Sequence, residues 1–285
     1  MATAVIDGAQ VSYEVIGEGR PWAITPGGRF SKDYPGVCEL ATALAEHGNQ
    51  VLIWDRPNTG ASEVRFDGES ESELQADVLA GLLRQLEMTP AVIAGGSGGS
   101  RVSLLTAARH PDITAGLAVW WISGGVYGLM SLGVHYCGPT LQAAWHHGMA
   151  AVVELPEWQE VIDRNPRNRQ RILDQDRAEF IATMQRWMAV YCPNDDEVVP
   201  GLTVAAANAL DVPALVFRSG ESDISHTRAT SENVARNLPN AELVEPPWGD
   251  SEWNERMQDP HALFVRWKLL VPTLVDWAAR SLPHE

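Results

Sequence analysis

The stretch Ala91-Val-Ile-Ala-Gly-Gly-Ser-Gly-Gly-Ser-Arg101 decides how this chain is read. A short apolar run, Ala91–Ala94, ends in a serine set among four glycines, and a helical pattern follows over Arg101–Arg109. Three glycine-rich devices compete for such a turn. A phosphate-binding loop needs Gly-Lys-Ser/Thr after its glycines, and here Gly99 is followed by Ser100-Arg101. A dinucleotide fingerprint cannot be placed either. What fits is G-x-S-x-G, as Gly95-Gly96-Ser97-Gly98-Gly99, in which small residues let a strand and a helix close on a strained, reactive serine.

Outward from this turn, short apolar runs alternate with helical patterns. Ala4–Ile6 and Val11–Ile16 suit an antiparallel edge pair, and Pro21–Thr25 and Gln50–Trp54 read as buried strands around a helix over Val37–His47. Ser70-Glu-Ser-Glu73 has the form of a capping box, and Leu74, Val78, Leu82 and Leu86 form one apolar stripe behind it. Leu117–Ile122 is the next strand. The rhythm then stops: residues 123–207 hold helical patches rich in Trp, His, Met and Arg, with no clear strand. It resumes with strand Ala214–Phe217, helix Glu232–Leu238 and strand Glu242–Glu245, and it closes with a helical segment over Leu263–Leu282, divided at Pro272. The expected class is α/β: a mostly parallel central sheet flanked by helices, with residues 1–122 and 208–285 as core and 123–207 as a helical cap.

Composition narrows the partners. The 285 residues carry a formal net charge of −16, which disfavours nucleic acid and anionic membranes. No apolar run reaches membrane-spanning length, and no secretory signal is visible. Three widely spaced cysteines, Cys38, Cys137 and Cys192, suit free thiols in a cytoplasmic protein, and no Cys/His spacing suggests a metal. No cofactor is expected, and the implied partner is a small-molecule substrate, with a homodimer left open. Eleven tryptophans point to an aromatic pocket or interface.

With these motifs in place, the chain resembles the α/β-hydrolase superfamily over nearly all of its length outside the insertion. Thr25-Pro-Gly-Gly-Arg-Phe30 resembles the oxyanion loop, with proline where histidine is usual. Asp55-Arg-Pro-Asn-Thr-Gly-Ala-Ser62 resembles the turn after the next strand, and Val212-Pro213 followed by Phe217–Asp223 resembles the segment that bears the acid. The resemblance implies Ser97 as nucleophile, Gly98 as one oxyanion donor with Gly28 or Arg29 as the second, and Asp223 as the acid. Its histidine should follow Val244, yet that segment reads Glu245-Pro-Pro-Trp-Gly-Asp250.

The base therefore has to be sought elsewhere. His47 and His110 stand at helix ends, His135, His146 and His147 lie in the cap, His284 is in the tail, and His261 reads as a surface residue near the final helix. His226, three residues after Asp223, is the candidate: it would serve Ser97 as base, oriented by Asp250. The competing reading leaves Ser97 with no imidazole and His226 as an ordinary loop residue.

Function follows the same fork. The leading expectation is a serine hydrolase with an altered triad, cleaving an ester or C–C bond of a small apolar or aromatic substrate bound by Trp121, Trp145, Trp248 and Arg29. Without a base, the same cage would suit a lyase, decarboxylase or cofactor-free oxygenase, or a ligand-binding protein. Tryptophans that only join cap to core, and an Arg56 that only ties loops together, are the plain structural readings.

Overall fold

The structure is a computed structural model describing residues 2–259 and 263–283. Strands β1 (Ala2–Ile6), β2 (Ala9–Ile16) and β3 (Arg20–Thr25) lead into α1 (Val37–Ala45) and β4 (Asn49–Trp54). Helix α2 (Glu71–Gln85) is capped by Ser70, whose hydroxyl accepts from the Glu73 N–H at 3.1 Å. Then come β5 (Ala91–Gly96), α3 (Gly98–Arg109) and β6 (Thr114–Trp120). Five helices follow without a strand: α4 (Val126–His147), α5 (Met149–Val152), α6 (Pro156–Arg164), α7 (Arg167–Leu173) and α8 (Arg177–Ala189). Strands β7 (Glu197–Val199) and β8 (Leu202–Thr203) precede α9 (Val204–Asn208), β9 (Ala214–Phe217), α10 (Arg228–Asn237) and β10 (Ala241–Val244). The chain closes with α11 (Glu252–Arg256), a 3-10 turn over Val265–Leu270 and α12 (Val271–Ser281).

Eight strands form one sheet in the order β1-β2-β4-β3-β5-β6-β9-β10. Strand β2 runs antiparallel to both neighbours, and every pair from β4 to β10 is parallel. All parallel strands thus end on one edge, where open α/β sheets bind ligands, and the turn after β5 lies near its middle. One face packs on α1, the 3-10 turn and α12 through Trp22, Trp120, Trp267 and Trp277; the other is covered by α2, α3 and α10 in a core continuous with α4–α8. Burial of both faces explains why β3–β6 read as near-continuous apolar runs rather than alternating ones.

Four readings of the sequence need adjustment. Residues 197–203 form a small hairpin separate from the main sheet, where Val198-Val199 turns back through Pro200-Gly201. Helix α3 starts at Gly98 rather than Arg101, since the turn leaves the chain no room for a linker. Strand β6 ends at Trp120 because Trp121 has φ +48°. The closing segment is divided at Leu270/Val271, with Pro272 in the first turn of α12, where a missing N–H costs nothing.

The α4–α8 segment is stitched to the core by polar as well as apolar contacts. Asn168, fully buried, accepts from the Val64 N–H at 3.0 Å and donates to the carbonyls of Ser62 and Val161, each at 3.0 Å. Phe66 sits among Trp158, Phe180 and Trp187 at ring separations of 5.4, 4.9 and 6.3 Å. Asn168→Ala should strand three buried backbone groups and lower unfolding free energy by ~2–4 kcal/mol, measured by urea denaturation. An unchanged midpoint would mean that water replaces the amide.

Candidate active site

The turn after β5 is a steric solution before it is a chemical one. Ser97 adopts φ +57° and ψ −124°, a strained conformation held by its neighbours. A Cβ on Gly99 would stand 2.0 Å from the Thr25 carbonyl oxygen, and one on Gly96 2.2 Å from Trp120 Nε1. The first contact is with backbone and the second with a fully buried indole, so both positions favour glycine. The Ser97 N–H donates to the Trp120 carbonyl at 3.2 Å, while its side chain stays partly exposed at the sheet edge.

The loop after β9 delivers the partner. His226 Nε2 lies 2.8 Å from Ser97 Oγ, and His226 Nδ1 lies 2.9 Å from Asp223 Oδ2. A carboxylate only accepts, so Nδ1 carries the proton, and Nε2 is left to accept from the serine hydroxyl. Asp223 Oδ1 also accepts the backbone N–H groups of Ser225 at 3.0 Å and His226 at 2.8 Å. One carboxylate therefore shapes the loop and orients the ring it carries.

Asp250 does not orient this ring. Its backbone carbonyl accepts from Ser222 N–H at 3.1 Å and Ser222 Oγ at 2.6 Å, so the two loops do meet. Its carboxylate turns outward to Arg228 and is 60% exposed. A charge on that outer rim gains more from water and a guanidinium than from a buried imidazole.

What the last loop contributes to the site is Arg256. Its guanidinium lies 3.9 Å over the Trp121 ring and 4.8 Å over Trp253, with Nη2 3.6 Å from Asp223 Oδ2 and Nε bonded to Glu252 at 2.9 Å. Burial pushes the Glu252 carboxyl up, against the opposing pull of Arg256. Behind His226 stand Trp121, its ring inclined 27° at 6.3 Å, and Trp253, edge-on at 5.6 Å; Trp248 backs Trp121 at 5.4 Å. The sequence reading missed Arg256 and Trp253, and the E-x-x-x-R spacing of Glu252 and Arg256 on one helix face was the available signal.

The other expected residues divide. A Cβ on Gly98 would lie 3.4 Å from the Gly28 backbone nitrogen, so the two expected oxyanion donors stand side by side. Arg29 bonds Glu71 at 2.7 Å and lies over the Tyr136 and Trp158 rings at 5.3 and 5.1 Å. Burial pushes its guanidinium down and Glu71 outweighs that, so the net shift is upward. Arg56 ties the loop after β3: its Nη2 donates to the carbonyls of Gly27, Gly28 and Phe30 at 3.2, 2.7 and 3.3 Å. Trp145 is not brought to the site; it is 54% exposed, about 13 Å along α4 from Tyr136. The histidine bonded to Ser97 Oγ is His226 rather than His135, His146 or His147, and His261 and His284 lie outside the described residues.

A cavity of about 260 Å³ opens between the start of α4 and α10, lined by Ser123, Val126, Leu129, Val198, Thr227 and Asn233 among others. It reaches Thr227 but neither Ser97 nor His226, so its position does not make it the reaction pocket. Among the described residues no group of three or more His, Cys, Asp or Glu is arranged to hold a metal ion, and no helix is long and apolar enough to cross a membrane. Cys137, in α4 near Arg29, is a buried thiol pushed up to about 12 by that burial. An aromatic disulfide reagent at pH 8 should therefore titrate two thiols, Cys38 and Cys192, in the folded protein and the third only after denaturation; three native equivalents would refute the burial of Cys137.

Comparison with known proteins agrees with this architecture. An enol-lactonase from Burkholderia xenovorans LB400 superposes with TM-score 0.62 at 22% identity, covering 98% of this chain and 100% of that one. A thermophilic esterase from Thermogutta terrifontis gives 0.62 at 20%, covering 99% and 97%. A meta-cleavage product hydrolase from Pseudomonas fluorescens IP01 gives 0.60 at 18%, covering 98% and 97%. In sequence, the chain is 32% identical over 109 residues to a protein of Mycobacterium phage D29 provisionally named a non-heme haloperoxidase; the match spans 38% of either chain. No protein-family model matches.

Proposed function

On the premise that this chain has the α/β-hydrolase fold, we propose that it is a serine hydrolase acting on the ester bond of a small, largely apolar or aromatic molecule. The observation that carries the reading is the continuous hydrogen-bonded path Ser97 Oγ–His226 Nε2 at 2.8 Å and His226 Nδ1–Asp223 Oδ2 at 2.9 Å. It differs from the family pattern in that acid and base share one loop, with the base three residues after the acid.

The chemistry follows from that path. Ser97 Oγ attacks the ester carbonyl carbon as its proton passes to Nε2 of His226, and Asp223 stabilises the imidazolium that forms. The carbonyl oxygen becomes an alkoxide facing the N–H groups of Gly28 and Gly98. Collapse breaks the C–O bond, and the departing alcohol takes the proton from Nε2. Water then passes a proton to Nε2, attacks the acyl carbon and yields the acid, and Ser97 leaves with its proton restored. Residues 123–207 serve in this reading as a cap that excludes water from the acyl-enzyme. The non-hydrolytic readings were motivated by a serine without a base, and His226 removes that motive.

Hydrolysis of p-nitrophenyl acetate and butyrate tests the proposal. Ser97→Ala and His226→Ala should each lower kcat by at least about 10³-fold with circular dichroism unchanged, because members of one catalytic unit are not additive. Asp223→Asn should cost about 10²–10⁴-fold through loss of the imidazole tautomer. Asp250→Asn should stay within about twofold, as expected of an exposed ion pair. Full activity in Ser97→Ala, or an Asp250→Asn as damaging as Asp223→Asn, would refute the assignment.

A further inference from the structure

A second feature beside the oxyanion loop is not used by the hydrolytic path. Three guanidinium groups, from Arg29, Arg56 and Arg101, surround a small closed cavity also lined by Gly28, Gly98 and Tyr136. Glu71 is the one carboxylate that lines it, and its Oε1 is already engaged by Arg29 at 2.7 Å and Asn58 at 2.9 Å. Arg56 and Arg101 are 2% and 4% exposed, and the partners they bond are neutral. Arg56 donates to backbone carbonyls; Arg101 donates to Ser72 Oγ and the Tyr191 hydroxyl, each at 2.8 Å. Burial pushes the Tyr191 phenol up, so it stays neutral and does not balance Arg101. Arg56 is pushed down to about 10, chiefly by burial, and remains a cation at neutral pH.

The local balance is three positive charges against one negative, with little water to screen the difference. Two N–H positions sharpen it: Arg56 Nε and Arg101 Nη1 are buried with no hydrogen-bond partner. A Cβ on Gly98 would lie in ordinary contact with Arg56 Nη1, at 3.8 Å, and with the Tyr136 hydroxyl, at 3.6 Å, so the turn that carries Ser97 borders this cluster. An uncompensated buried cation is costly, and a buried donor without an acceptor adds to that cost. Water in the cavity would satisfy the N–H groups but not the charge.

We propose that this cavity is an anion-binding site, taking one anionic atom: a halide ion or one oxygen of a carboxylate. Its volume of about 10 Å³ admits a single water-sized occupant, which excludes a whole phosphate or sulfate in this closed form. The anion has two sources. A free halide would be a resident structural ion; a carboxylate oxygen would belong to the substrate and give preference to acidic esters, because the cavity adjoins Gly28 and Gly98. The site's existence rests on the arginines and not on the hydrolase reading.

The test begins with binding, which needs no turnover. Protein exchanged into a fixed sulfate buffer, whose anion the closed cavity excludes, should rise in Tm by about 2–4 °C on titration with millimolar chloride or bromide. A bromide-soaked crystal should show an anomalous peak between Arg56 and Arg101. Arg101→Met should abolish the anion-specific shift and should itself melt higher than the parent in the halide-free sulfate buffer, since it removes an unpaired buried charge. A second arm separates the sources. If the substrate carboxylate occupies the site, chloride raises KM for a monoethyl dicarboxylate but not for p-nitrophenyl acetate; if the ion is resident, chloride affects both substrates alike. No anion-specific Tm shift together with no anomalous peak overturns the proposal, even if ester hydrolysis proceeds; loss of hydrolysis with the shift retained would fault only the catalytic reading.

Discussion

The contact on which the rest of the molecule depends is backbone against backbone at the middle of the sheet, where Gly99 of the turn after β5 lies against the Thr25 carbonyl. A Cβ there would stand 2.0 Å from that oxygen, so strand, helix and oxyanion loop can meet only without side chains. That approach sets Ser97 in its strained conformation, starts α3 one residue later, and brings Gly28 beside Gly98. The strain at φ +57° is sustained because β5 is hydrogen-bonded on both sides, to β3 and β6, and cannot relax without breaking the central sheet.

Around this fixed point, the loop after β9 holds a carboxylate and an imidazole within one turn. Asp223 accepts two backbone N–H groups of its own loop and still reaches His226 Nδ1. Holding Asp223 and His226 in one turn leaves the loop after β10 free for another task. It sends Arg256 over Trp121, with Nη2 3.6 Å from Asp223, and Glu252 then balances Arg256. The result is an alternating buried chain of charges, Glu252, Arg256 and Asp223, ending at a neutral imidazole. Each member is tolerable in a dry environment because its neighbour has the opposite sign.

The helical segment joins the core through a different chemistry. Asn168 satisfies two backbone groups across the junction, Val64 N–H and the Ser62 carbonyl, and one in α6, and Trp158 and Trp187 close on Phe66. Two of the tryptophans that suggested an aromatic pocket therefore act as joints. Arg29 belongs to the same seam: its pairing with Glu71 and its place over Tyr136 and Trp158 tie α4 and α6 to the oxyanion loop. Any displacement of this segment would disturb those contacts, which links its position to the arginine cluster beside Ser97.

How much of this was legible follows from the range of the forces involved. The strand–turn–helix at Gly95–Gly99, the parallel alternation and the Ser70 cap are local consequences of sterics and periodicity, so the chain itself determined them. Ser97 and the nearness of His226 to Asp223 were readable for the same reason, being set by a few consecutive residues. The partner of His226 was not. Choosing between Asp223 and Asp250 depends on which carboxylate the folded loops bury, and Arg228 draws Asp250 to the rim. Likewise, nothing in the spacing of Arg29, Arg56 and Arg101 shows that three elements bring them to one cavity with a single carboxylate. Their charges add only once the fold removes the water between them, and that desolvation was decided by tertiary structure alone.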